Sequence, residues 1–255
     1  MFDRFKGIAL AILAPVLLVG CAFSPGKFTS TLTILADRSF TYSYQGEVIA
    51  VDLASEMAKG MGDAFKGLGD DEDDKKKKTT TAWLRDASSQ EEGSAADGDG
   101  AKDDAEEAAK KEAKFKAIAE ALTKEAGYRS VVYKGDGVFV IDYQISGSLT
   151  HGFLWPFNVD AEVIFPFVVV ELRGADVVRV KAPAFGDSDS AGKGKSDSAN
   201  AKLDGTFTLI TDGELVSQNN EDGAKTEGNR RTITWKATPL SKDAPMAVVK
   251  VAPKP

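Results

Sequence analysis

The residues able to do chemistry are few, and they are scattered. His151 is the one histidine and Cys21 the one cysteine of the 255-residue chain, so a zinc centre built on two or more imidazoles is excluded. A single histidine could serve a Ser-His-Asp relay, but no Gly-x-Ser-x-Gly elbow exists to hold a serine in the strained turn that exposes it. Gly186-Asp187-Ser188 superficially resembles a hydrolase block, yet it sits in a Ser-, Gly- and Asp-rich stretch with no strand-turn-helix context. Ser24 to Lys27 and Ser190 to Lys193 both satisfy Ser-x-x-Lys, with no helix to carry the lysine onto the hydroxyl. Asp97-Gly98-Asp99-Gly100 begins like a calcium loop, which needs an oxygen ligand at its fifth position; Ala101 stands there. No Walker loop or dinucleotide fingerprint is present. Paired carboxylates of the glycosidase kind leave no sequence signature, because their pairing is spatial. The expectation is a chain with no metal, no cofactor and no catalytic centre.

What remains is apolar. His151-Gly152-Phe153-Leu154-Trp155-Pro156-Phe157 packs three aromatic residues into a short run, and Phe165 and Phe167 follow in a stretch that is nearly all apolar from Ala161 to Leu172. If buried, each of these side chains contributes roughly 2 to 3 kcal/mol and the segment is core. If exposed, Phe153, Trp155, Phe157, Phe165 and Phe167 are candidate contacts for an apolar ligand or another protein.

The first 21 residues are of a different kind. Arg4 and Lys6 precede an apolar run from Ile8 to Val19, which stops at Leu18-Val19-Gly20-Cys21. The run is short of the roughly 20 apolar residues that span a bilayer, and a charged start with a small-residue stop reads as a secretory signal, residues 1–20. Leu-Val-Gly-Cys resembles the lipobox of bacterial lipoproteins. That resemblance implies a diacylglyceryl group on Cys21, removal of the preceding peptide and an acylated first residue, which also accounts for one odd cysteine in a secreted chain. Ala22, where an acidic residue would favour the inner membrane, directs the expectation to the periplasmic face of the outer membrane. Several acyl chains give stable anchoring where one binds only marginally.

Removing residues 1–20 takes away two of 32 basic and one of 39 acidic residues, leaving 30 against 38 and a net charge of −8. An acidic body lacks the basic face of a nucleic-acid binder and does not adhere to anionic lipid by charge.

Residues 21–27 read as a lipidated cysteine and tether. Period-two alternation then predicts a hairpin, with Phe28, Leu32 and Ile34 before Asp37-Arg38 and Phe40, Tyr42 and Tyr44 after it. From Asp52, placed as a cap, Leu53, Met57, Met61, Phe65 and Leu68 recur at helical spacing. Asp70 to Lys78 sets five acids beside four lysines, and residues 69–104 as a whole read as a disordered acidic insertion. Ala82-Trp83-Leu84 inside it is an apolar island that either docks on the domain or binds a partner. Phe115, Ile118, Ala119 and Leu122 predict a second amphipathic helix ending before Gly127. Strands follow at Ser130 to Tyr133 and Val138 to Ile145 around an Asp136-Gly137 turn, then at Ala161 to Leu172, Val177 to Val180, Thr206 to Ile210, Thr232 to Lys236 and Met246 to Val251. The Ala161 to Leu172 strand reads as covered on both faces, with residues 185–203 a flexible loop. The expected fold is α+β: a mainly antiparallel sheet of about nine strands with two amphipathic helices, in one domain formed by residues 28–68 and 105–255.

Leu32-Thr33-Ile34, the Asp136-Gly137 hairpin, and Ser217-Gln218-Asn219-Asn220 followed by Asn229 to Trp235 together resemble the LppM-type domain of bacterial lipoproteins. The resemblance implies a fold rather than an activity, since these are turn and core residues. The chain departs from that pattern at Val251 to Pro255, where such domains often carry an apolar span. The functional expectation is a membrane-anchored, non-catalytic binding or envelope-organising module, holding lipid between sheet and helices; the alternative is a scaffold for an envelope protein, with a hydrolase as the third class.

Overall fold

A computed structural model describes residues 21–52, 100–156, 166–186 and 202–253. Twelve strands form two sheets. The larger has the order β10-β11-β8-β1-β2-β4-β3 and the smaller β5-β6-β7-β12-β9, where β1 is Cys21–Ile34, β2 Ser39–Asp52, β3 Tyr128–Gly135, β4 Val138–Ser148, β5 Phe153–Trp155 and β6 Val168–Arg173. The remaining strands are β7 Val177–Lys181, β8 Asp204–Thr211, β9 Glu214–Gln218, β10 Lys225–Glu227, β11 Arg230–Ala237 and β12 Met246–Lys250.

Alternation explains the larger sheet. Phe28, Ser30, Leu32 and Ile34 of β1 turn inward while Thr29, Thr31 and Thr33 face out, as a pleat with a period of two demands. On the outer face Thr31 lies beside Ser43 of β2 and Thr208 of β8, and Thr208 beside Thr234 of β11. Such β-branched polar side chains suit a pleated surface open to water. Inward-facing Ser30 is buried without penalty: the Ser43 carbonyl accepts from its hydroxyl at 3.1 Å and the Tyr42 hydroxyl lies 3.2 Å away. β1 pairs antiparallel with β2 but parallel with β8, from Lys27 beside Asp204 to Ile34 beside Thr211. Gly205 is required there, because a Cβ would lie 2.2 Å from the Phe28 ring.

The smaller sheet covers part of the inner face of the larger. The helix α1, Gly100–Leu122, packs against β3, with Phe115 set edge-on to Phe139 at 5.7 Å and beside Tyr133 at 5.6 Å. Gly127 follows α1 with φ +91, and a Cβ there would come within 2.6 Å of the Tyr143 ring. The Asp136-Gly137 hairpin forms as its sequence predicts, with both residues at positive φ.

These observations correct the α+β expectation of about nine strands and two amphipathic helices. The fold is mainly β, with twelve strands and one α-helix among the described residues. Asp52 is not a helix cap: the run Val48-Ile49-Ala50-Val51, three of its four residues β-branched, carries β2 on to Asp52, which pairs with Cys21. The helix expected beyond it lies outside the described residues. The supposed tether, residues 21–27, is the first half of β1. β6 begins only at Val168 and is covered on one face, with Val168 and Val170 buried while Arg173 is exposed. Phe185 and Leu203, the expected ends of a loop, are both core residues. Three short strands, β5, β9 and β10, account for the undercount.

Candidate functional site

The aromatic run falls at β5 and supplies the centre of the interface between the sheets. Trp155 is 2% exposed. Its indole lies 4.5 Å from the Tyr44 ring, 5.6 Å from Tyr42, 5.3 Å from Tyr143 and 5.3 Å from Phe167. Phe167 is also buried and reaches Phe185 at 6.2 Å, which stacks on Phe28 at 4.3 Å and touches Phe207 at 5.5 Å. Phe153 is half-buried against Phe40 and Tyr42. Phe157 and Phe165 lie outside the described residues, as does Trp83. Among the described residues, aromatic side chains pack the space between the sheets; Phe165 and the helix expected after Asp52, the other walls of the expected cavity, lie outside them. The indole N–H of Trp155 lacks a hydrogen bond of regular geometry, although the Tyr128 hydroxyl is near enough to feel it.

Burial shapes the tyrosines accordingly. Loss of water pushes the Tyr42 and Tyr44 hydroxyls well above their ordinary range, and Tyr128 to about 12. A buried phenolate is disfavoured because its charge has left water. His151 is exposed in the loop before β5, with Nδ1 3.0 Å from the Thr150 hydroxyl. Asp37 is held below the ordinary carboxyl range by the hydroxyl and amide of Ser39, and Glu171 chiefly by Arg173, with Lys181 at 3.0 Å adding to it.

Arg38, unmarked by the sequence reading, closes one end of the sandwich. It is 5% exposed, adopts φ 73, and donates from Nε to the Leu149 carbonyl and from Nη1 to the carbonyls of Ala175 and Ala252, each at 3.0 Å. One guanidinium thereby joins the β1–β2 turn to the chain after β4, the β6–β7 turn and the segment after β12. Asn219 has a comparable bridging role. Its Oδ1 accepts from Trp235 Nε1 at 3.1 Å and from the Met246 amide at 2.8 Å, while Nδ2 donates to Ala244. The Asn-rich turn is therefore a strap between the sheets.

Among the described residues the opposite end is open. There Lys27, Glu47, Ile49, Val138, Lys202, Leu203, Asp204, Thr238 and Pro239 line a groove of about 700 Å³. Glu47 Oε2 accepts from the Lys27 amide at 3.2 Å, and the exposed residues Lys27, Lys202 and Asp204 line the groove with it. This groove is at the end where β1 begins: Ser24, three residues after Cys21, pairs with Ile49. It joins residues from five separated parts of the chain, and no local motif announces it. No helix among the described residues is long and apolar enough to cross a membrane.

No protein-family model and no curated protein matches this chain. Among solved structures, the folded domain of the Mycobacterium tuberculosis LppM protein, determined by NMR, is similar over 91% of this chain and 92% of that one, with 15% identity and a TM-score of 0.32. Superposition that loose carries no argument about this chain's activity or ligands.

Proposed function

We propose that this chain is a lipid-anchored module of the bacterial envelope that works by binding rather than by catalysis, held by acylated Cys21 on the periplasmic face of the outer membrane. The observation that carries the proposal is the position of Leu18-Val19-Gly20-Cys21 directly before the fold: Cys21 is the first residue of β1. An acyl group there joins the membrane to a central strand of the larger sheet with no intervening linker. The engaged state of the described functional groups supports a binding role, since Asp37 and Glu171 are both committed to neighbours and His151 contacts the Thr150 hydroxyl.

Metabolic labelling with a palmitate analogue, followed by membrane fractionation, tests this. The wild type is expected to take up label and sediment with the outer membrane, and Cys21→Ala to do neither. Label-free, soluble wild-type protein defeats the proposal, and recovery in the inner membrane defeats its location.

A protein-partner reading has its own support in β9. Among the described residues this edge strand of the smaller sheet pairs on one side only, with β12, and exposes 57% of Val216. An unpaired edge can accept a strand from another chain. Crosslinking from a residue at position 216 in cells would show a single adduct if that edge is used.

A further inference from the structure

The anchor-side end of the sandwich carries more than the groove. β1 and β8 run away from Cys21 in parallel, and β11, antiparallel to β8, runs back towards it. β11 ends at Ala237, paired with Gly205, so the Thr238 to Ser241 turn leaves the sheet beside the Lys27–Asp204 pair. Leu240 at its tip is 87% exposed, the most exposed large apolar side chain among the described residues. The turn holding it is fixed: the Ser241 amide donates to the Thr238 carbonyl at 3.0 Å, the Thr238 amide to Ser241 Oγ at 3.0 Å, and Ser241 Oγ to the Lys236 carbonyl at 3.2 Å. Lys236 and Lys242 flank it, both exposed.

We propose that this end is a second membrane contact, resting on the lipid-anchor reading above, in which Leu240 enters the headgroup layer of the bilayer that holds Cys21 and the groove accepts one aminophospholipid headgroup. The occupant follows from position and charge. Lys27 is six residues along β1 from Cys21, roughly 20 Å at a strand's rise, so acyl chains on Cys21 would hold this end within reach of the bilayer. Tilting the sheet towards its β10–β11 edge brings Leu240 and Lys242 to the lipid; α1, packed on β3 at the far edge, moves away. Lys27, Lys202, Lys236 and Lys242 face phosphates, the local attraction that an acidic molecule as a whole lacks. Within the groove, Glu47 and Asp204 beside Lys27 and Lys202 match a headgroup that sets an ammonium next to a phosphate. A purely anionic headgroup would meet two carboxylates.

The test uses the full acylated protein in vesicles of phosphatidylethanolamine and phosphatidylglycerol. Acylation blocks the Cys21 sulfur, so Leu240→Cys takes a single environment-sensitive fluorophore, and Leu154→Cys on the smaller sheet provides the distant control. The expected result is a blue shift and quenching by spin-labelled headgroups at position 240 and neither at 154. Equal, water-like emission at both positions overturns the proposal. Replacing phosphatidylethanolamine with phosphatidylglycerol, or introducing Lys27→Glu with Lys202→Glu, is expected to reverse much of the shift; an unchanged shift overturns the assignment of the groove. Wild-type protein that takes up fluorophore at Cys21, or fails to float with vesicles, instead shows that the anchor reading itself is wrong.

Discussion

The two ends of this sandwich solve opposite problems. At the Arg38 end a buried guanidinium is tied to three carbonyls, and the neighbouring aromatics pack between the sheets. At the Cys21 end four charged side chains line an open groove, and a leucine is held out by a turn whose hydrogen bonds keep it from folding back. The first arrangement specifies one structure, because a buried guanidinium is tolerated only where its donors are satisfied. Among the described residues the second leaves interaction capacity unused, as a surface does. Stability should therefore reside at one end and binding at the other.

The largest effect expected from this division is on Trp155. Trp155→Ala removes the ring that contacts four other aromatics and should cost about 3 to 5 kcal/mol, visible as a large fall in the denaturant midpoint; a loss below about 1 kcal/mol would mean that the interior repacks and can admit a ligand. Arg38→Ala leaves three carbonyls without their donor and should cost about 3 kcal/mol. Arg38→Lys should recover only part of it, since one ammonium cannot copy the guanidinium fork.

A pH scan sharpens the comparison at the alkaline side. Tyr128 titrates near 10 when unfolded and at about 12 when folded. Between those values the unfolded chain has released a proton that the folded chain retains, so stability must fall as pH rises through that window. Tyr42 and Tyr44 act in the same direction. Fluorescence-monitored unfolding above pH 10 should show the decline, and Tyr128→Phe should make it shallower. The smallest effect belongs to the open end: Leu240→Asp and Lys202→Glu should each leave the unfolding midpoint within about 0.5 kcal/mol of wild type, and a larger loss would mean that this end supports the fold.

Local order was legible where one segment determined it. Period two in Phe28 to Tyr44 placed the first hairpin, and Asp136-Gly137 placed the second through the positive φ its turn requires. The helical spacing of Phe115, Ile118, Ala119 and Leu122 likewise found α1. Short edge strands were missed, because Glu214–Gln218 and Lys225–Glu227 alternate weakly and gain their pairing from β12 and β11. Asp52 was misread as a cap because a capping residue and a strand end look alike in isolation. Trp155 and Phe167 were marked for their apolar surface, and only packing could decide between core and contact. The groove was illegible for a different reason: Lys27, Glu47, Lys202 and Asp204 meet through the parallel pairing of β1 with β8, a long-range choice that hydropathy does not encode.

That pairing also bears on how the protein is made. β1 stands between β2, which is synthesised within a few tens of residues, and β8, which begins only at Asp204. Folding that depends on such distant contacts is slow, and a strand awaiting its partner presents an unsatisfied edge to other chains. A chain exported from its N-terminus would thus cross the membrane with its anchor strand incomplete until most of the polypeptide has followed. On the lipid-anchor reading, a holding chaperone on the far side of the membrane would have most to do on the first hairpin, during the interval before β8 arrives.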